Sequence, residues 1–277
     1  MIFNQLKDFT VIDTETTGLS KYRRITEFAA IKFRNGHPIS RYDILINPRI
    51  AIPMETVKIN QIDDNMVKNA PTICEVSDDI YRILGDDILV AHNAKFDVEG
   101  LNNRLVQGLR NKWVDTLEIF KQTLTISSYS LSSISRHLGL EEIQTHRALD
   151  DCDMTVRCLS LIERPYKINI HDELIAVGNY KCSDIKPTEF RCDTLNGVHC
   201  VITGSVDGVS RLDIHEAIVN HGGTIGTSVI IKTRYLITGD YGCGNSKLNK
   251  AQMKMRNNEN IEIIDFHTFN EMFSLGL

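Results

Sequence analysis

Apolar and polar positions fall into two patterned blocks, separated by a stretch without clear period. The run Phe9 to Ile12 reads as a buried strand, residues 9–13. Two further strands are predicted at 25–34 and 39–46, and Asn35-Gly36 between them is a strong hairpin signal. Helical spacing follows at about 54–69 and 73–84. Ile88 to Ala91 is a short apolar strand, and a helix from about 97 to 108 puts Leu101 and Leu105 on one face. Trp113 to Leu117 reads as a strand or strand–helix junction. A helix over 131–138 stops at Gly139, and a last one spans about 147–163 with the stripe Leu149, Cys152, Val156, Leu159 and Ile162.

This order, a hairpin-led sheet followed by alternating helices and strands, is α/β. The first block ends near Arg164-Pro165, giving a first domain of 1–165. Residues 166–194 lack a clear period and are expected to be a linker, with room for a short hairpin. A second domain, 195–277, shows strands at 198–203, 235–238 and 261–264 and helices at 213–221, 247–255 and 266–273. Gly222-Gly223 breaks the chain after the first of those helices.

Composition changes this picture little. With 42% hydrophobic and 24% charged residues the chain can bury a core. Its net charge of −5 provides no global basic field, although local lysines or bound metal ions can still meet phosphates. The seven cysteines contain no CxxC pair, which argues against zinc and for free thiols in a reducing compartment. With no long apolar span and no signal-like N-terminus, the expectation is a cytoplasmic protein without membrane association.

Candidate chemistry begins where the first strand ends. Asp13 and Glu15 stand two residues apart, so an extended backbone sends both to one face. Two acids there repel each other and are costly to desolvate, and a divalent cation between them removes both objections. A surface turn with solvated acids is the alternative. Asp97 follows the buried strand at 88–91, where a helix-capping role competes. Asp151 lies beside the apolar stripe of the last helix, five residues after His146, whereas a structural histidine is the commoner reading of such a residue.

The combination resembles the DEDD superfamily of 3′-to-5′ exonucleases, of the DnaQ-like proofreading-subunit type. The matching blocks are Val11-Ile-Asp-Thr-Glu-Thr-Thr-Gly18, His92-Asn-Ala-Lys-Phe-Asp97 and His146-Arg-Ala-Leu-Asp-Asp151, in the family's order and spacing. Asn60-Gln61-Ile62 before the Ala70-Pro71 turn and Val114-Asp115-Thr116-Leu117 match as well. The His-x-Ala-x-x-Asp spacing is that of the histidine subclass (DEDDh) and selects Asp151 over Asp150. The resemblance implies an RNase H-like fold with a mixed five-stranded sheet and metal-dependent removal of nucleotides from a 3′ end. It further implies two Mg²⁺ or Mn²⁺ ions, with Asp13 bridging, Glu15 and Asp151 completing one site, Asp97 assisting, and His146 as general base. It carries Thr16, Leu19, Asn93 and Phe96 over as substrate contacts. DNA is the first expectation for substrate, single-stranded in the site, with RNA the alternative.

Residues 195–277 resemble a BRCT domain of the bacterial DNA ligase and replication factor C type. The resemblance rests on Gly197-x-x-x-Val-Ile-Thr203-Gly204, Arg211, Gly222-Gly223, Ser228-Val229, Lys232-Thr233, Ser246-Lys247-Leu248-x-Lys250-Ala251 and Ile263-Ile264 before Phe269. It implies a four-stranded parallel sheet. The tryptophan usual in the last helix is missing, so Phe266 or Phe269 is expected to fill its volume. Thr203, Gly204, Arg211, Lys247 and Lys250 are the candidate phosphate or DNA contacts, and residues 232–256 carry six basic residues against one acid. DNA contact, a protein partner and a solvated face are the three uses weighed. A nuclease-fold scaffold tethered by its BRCT domain, without catalysis, is the rival to the enzyme reading. Gln5 to Phe9 faintly resembles the short peptide by which bacterial replication proteins hold a sliding clamp, but Phe9 is expected inside the first strand.

Overall fold

The first apolar run becomes β1 (Phe9–Thr16), buried on both faces until its end. A computed structural model describes residues 5–20, 22–105, 108–140, 146–172, 181–187, 193–257 and 259–277. Strand β2 (Ile25–Arg34) runs antiparallel to β1, with Asp13 opposite Ala29 and Glu15 opposite Glu27. It turns into β3 (His37–Leu45) through Asn35 and Gly36, whose φ of 51° and 77° are the paired left-handed values of a type I′ hairpin.

The expected helix over 54–69 is two helices, α1 (Met54–Asn60) and α2 (Asp64–Val67). Gln61 adopts a left-handed φ of 58° and its N–H closes α1 on Val57 O, which ends the helix. Asp63 then caps α2 by accepting from the Met66 N–H. After α3 (Ser77–Leu84) comes β4 (Ile88–Ala91), parallel to β1. The next helix, α4 (Ala94–Arg104), starts three residues earlier than expected, so Asp97 sits inside its first turn instead of at its start. Both halves of the 113–117 expectation exist: β5 (Trp113–Asp115) pairs with β4, and Asp115 caps α5 (Thr116–Thr123). Helices α6 (Leu131–His137) and α7 (Ala148–Ser160) complete this unit. The sheet order β3-β2-β1-β4-β5 puts β1 at the centre. Cys152, Leu159 and Ile162 pack with Phe9, Val11, Ala29 and Ile31 in one core, at roughly 1.5–3 kcal/mol for each large apolar side chain buried. Leu6 and Phe9 belong to that core, so the clamp-like peptide is not available at the surface.

Chain contacts divide the protein into one unit of residues 1–102 and 108–176 and another of 103–107 and 177–277. Tyr166 and Ile168, at the start of the expected linker, pack on the first unit's core, and His171 exchanges two backbone hydrogen bonds with Trp113. Residues 173–180 and 188–192 of that linker lie outside the described residues.

In the second unit β6 (His199–Thr203), α8 (Arg211–Asn220), β7 (Thr224–Gly226), β8 (Thr233–Thr238), α9 (Asn245–Arg256), β9 (Glu262–Asp265) and α10 (Phe266–Phe273) follow in order. All pairings are parallel, in the order β7-β6-β8-β9. Strand β7 was not expected: its three residues, one exposed and two half-buried, carry no apolar pattern. Phe266 and Phe269 both lie in the core, and Tyr235 meets Phe269 and Phe273 edge-on, so aromatic rings replace the missing tryptophan's volume. Among the described residues, no helix is long and apolar enough to cross a membrane.

Candidate active site

Strand alternation puts Asp13 and Glu15 on the face that Phe9 and Val11 use for the core. The carboxylates take over where the apolar face stops. Helix α7 packs on that face and brings Asp151, which is 6% exposed, to the same place, while Asp150 points to solvent. One oxygen from each of Asp13, Glu15 and Asp151 lies within 4.8 Å of the others. Asp97 approaches from α4, fully buried, and its Oδ1 accepts from the Thr14 N–H at 2.9 Å and the Thr14 hydroxyl at 2.7 Å.

The electrostatics are those of an unbalanced acid cluster. Burial, then the charges of Asp97, Asp151 and Glu15, push the Asp13 carboxyl well above the usual carboxylate range. Burial is also the leading cause that lifts Glu15 to about 8, against a hydrogen bond from Asn60. Asp97 rises to about 7, again by burial, moderated by its two bonds from Thr14. Hard oxygen donors forced together at this cost fit a divalent cation.

His146 stands two residues ahead of α7, half-buried, with a left-handed φ of 52°. Asn93 also has a left-handed φ, 66°; it is exposed, and its N–H donates to Asp115 Oδ1 at 2.9 Å. His92 is bound on both ring nitrogens, to the Thr116 hydroxyl and to Tyr129 O, so it braces the fold. Thr16 is buried and its hydroxyl donates to Gly18 O, whereas Leu19 is 87% exposed beyond Gly18, whose φ of 149° suits only glycine. Phe96 is half-buried with the Arg23 guanidinium stacked 3.7 Å above its ring.

Sequence reasoning missed three supports. Asn60 ends α1 and donates to Glu15 Oε2 at 3.1 Å, which orients that carboxylate. Thr14, between the two acids, holds Asp97. Glu27, the lone acid in the apolar strand β2, accepts from Arg147 and from the Ala148 N–H. An acid inside an apolar run was the signal available for Glu27.

In the second unit the end of β6 gathers cations. Arg211 donates to Ile202 O at 3.3 Å and to Gly204 O, and Lys247 donates to Ile202 O at 2.8 Å. Burial, then the Arg211 charge, lowers the Lys247 pKa. Among the described residues neither cation has a carboxylate in an ion pair. The Thr203 hydroxyl accepts from the Gly244 N–H. Gly204 is obligatory, since a Cβ there would lie 2.6 Å from Tyr241 O. Lys250 is exposed one turn along α9.

A central strand ending in acids, joined by further acids from two flanking helices on a mixed five-stranded sheet, defines a nuclease of RNase H-like architecture. The exonuclease family model matches residues 10–159 and the BRCA1 C Terminus (BRCT) domain model residues 190–272. The chain belongs to the exonuclease family and carries a C-terminal BRCT domain. It is 42% identical to the DNA polymerase III subunit epsilon of Treponema pallidum over 151 residues, 52% of this chain and 70% of that protein. It is 30% identical to the PolC-type DNA polymerase III of Oceanobacillus iheyensis over 277 residues, 95% of this chain but only 19% of that protein. The fold matches a zinc-bound Escherichia coli exonuclease I–single-stranded DNA complex with a TM-score of 0.51 at 18% identity, over 57% of this chain and 41% of that one.

Proposed function

We propose that the protein is a metal-dependent 3′-to-5′ exonuclease acting on DNA, releasing nucleoside monophosphates, with its BRCT domain holding it at DNA. The convergence of Asp13, Glu15 and Asp151 within 4.8 Å carries this reading. Asp13 would be the ligand shared by two Mg²⁺ or Mn²⁺ ions, Glu15 and Asp151 would complete one site, and Asp97 would help directly or through water. The ions, when bound, supply charge stabilisation of the attacking and leaving oxygens. The chain does the rest. His146 takes a proton from the attacking water, a role suited to an imidazole near neutral pH. The backbone near Thr16, the exposed Leu19 and the side chains of Asn93 and Phe96 seat the terminal nucleotide. A relative matched over 70% of its length is a DNA polymerase III subunit, which supports DNA over RNA as substrate.

The BRCT domain is read as a DNA-end or 5′-phosphate binder, because Arg211 and Lys247 both donate to Ile202 O at the end of β6, and among the described residues neither is ion-paired to a carboxylate. Tethering raises the effective concentration of the nuclease at an end. The domain limits 1–165 and 195–277 are part of this proposal.

The test is digestion of 3′- and 5′-labelled DNA and RNA oligomers with Mg²⁺ or Mn²⁺, wild type beside Asp13→Ala. Loss of 3′ label from DNA, abolished in Asp13→Ala, is expected. Equal degradation by the variant overturns the assignment, and faster loss from RNA moves the substrate to RNA.

A further inference from the structure

We infer that Glu27 and Arg147 form a positioning clamp for hydrolysis, docking the helix that bears Asp151 and the turn that bears His146 onto the strand that bears Asp13 and Glu15. The inference rests on the metal-site reading above.

Glu27 is completely buried in β2, directly across from Glu15. A carboxylate in that position is costly to desolvate. It also aggravates the acid cluster, since its charge helps to raise the pKa of both Asp13 and Glu15. The hydrolytic scheme gives it no ligand or proton-transfer role. A core position in an apolar strand would be filled more cheaply by valine or isoleucine, so the acid is explained by what it holds.

Both of its oxygens are used. Oε1 accepts from Arg147 Nε at 2.9 Å and from Arg147 Nη2, and Oε2 accepts from Arg147 Nε at 3.0 Å and from the Ala148 N–H at 2.9 Å. Arg147 is the N-cap residue of α7, yet its own side chain makes no cap hydrogen bond. The orphan N–H at the helix start is satisfied instead by a carboxylate from the neighbouring strand. His146 immediately precedes the clamped residues in a left-handed conformation, and Asp151 follows one helical turn later. One ion pair thus fixes the start of α7 against β2 between the two groups that must reach the acids of β1. The charges of Asp43 and Asp150 add to that of Glu27 in raising the pKa of the Arg147 guanidinium.

A clamp that positions differs from one that only stabilises in what its removal changes. Arg147 is partly exposed, so Arg147→Met removes the ion pair while leaving the Ala148 cap and the core in place. Glu27→Gln keeps the shape and an acceptor for Ala148. Mn²⁺ binding to the full chain is measured by calorimetry without nucleic acid, beside single-turnover cleavage of a 3′-labelled oligomer and thermal melting. The expected result for Arg147→Met is Mn²⁺ binding weakened about 10- to 100-fold and a lowered kcat at saturating metal with KM unchanged. Arg147→Lys, which keeps the charge but not the fork, is expected between the two. Glu27→Gln should follow Arg147→Met in both readouts. Wild-type Mn²⁺ affinity and kcat in Arg147→Met, with only the melting temperature lowered, overturn the clamp. A wild-type chain that neither binds Mn²⁺ nor cleaves overturns the metal-site reading and the clamp with it.

Discussion

The two units each collect like charges at the end of a central strand, and they differ in how those charges are held. At the end of β1 the half-buried Asp13 and Glu15 meet the buried Asp97 and Asp151, and Asp13, Glu15 and Asp97 are raised in pKa, with hydrogen bonds from Thr14 and Asn60 that orient the acids without neutralising them. At the end of β6, Arg211 and Lys247 are fewer, half-buried and spread onto backbone carbonyls. The first arrangement needs a multivalent cation to relieve it and is suited to chemistry. The second tolerates its own charge and is suited to binding an anion that comes and goes.

Substitutions separate the two cases by size of effect. After the loss of cleavage in Asp13→Ala, the largest is expected from His146→Ala, which should lower kcat by about 10²–10⁴-fold with Mn²⁺ affinity retained. Single-turnover rates across pH 6 to 9 check it, and an unchanged rate throughout removes His146 from the proton-transfer role. Asn60→Ala, which frees Glu15 to rotate, should weaken Mn²⁺ binding by about 10–100-fold. Calorimetry on the metal alone measures that loss, and wild-type affinity would leave Asn60 as a mere end to α1. A smaller change is expected at the other strand end. Lys247→Ala should lower the slope of log affinity against log salt by about 1 for a 5′-phosphorylated duplex. Binding titrations from low to moderate salt read it, and an unaltered slope assigns the β6 end to a protein partner.

The smallest effect is on stability. In the metal-free chain Glu15 holds its proton to about pH 8 and Asp97 to about 7, above the range of the same groups in an unfolded chain. The folded state therefore binds more protons than the unfolded one through that window, and stability falls as pH rises across it. Melting in EDTA between pH 5.5 and 8.5 should show the decline, and added Mn²⁺ should flatten it. A metal-free melting temperature that climbs with pH would contradict the strained cluster.

How far this comparison was legible in the sequence depends on the range of the signal. Asp13 and Glu15 were readable because strand alternation is a two-residue rule, and Asp151 because an apolar stripe assigns neighbouring residues to a face. Asn35-Gly36 located the hairpin for the same local reason. Asn60 was invisible as a support, since its bond to Glu15 spans 45 positions and follows from Gln61 ending a helix that propensity would have continued. Thr14 looked like filler between two acids. Strand β7 was missed because a three-residue strand owes its existence to β6 beside it, not to its own side chains. On the cation side, Lys247 and Lys250 were both candidates, and only the docking of α9 turns the first toward the strand end and leaves the second in water.

The spread of the acids along the chain has a consequence for synthesis. Strand β1 emerges before the other strands of its sheet and can pair with the β2–β3 hairpin as soon as that follows, but its parallel partner β4 lies some seventy residues away, and such non-local pairing forms late. Asp97 arrives after β4, and Asp151 only with α7. A nascent chain still on the ribosome before α7 has emerged holds three of the four acids and lacks the helix that brings the fourth and closes the cluster. The order of residues thus delays assembly of the complete acid set until nearly the whole exonuclease fold is available to contain it.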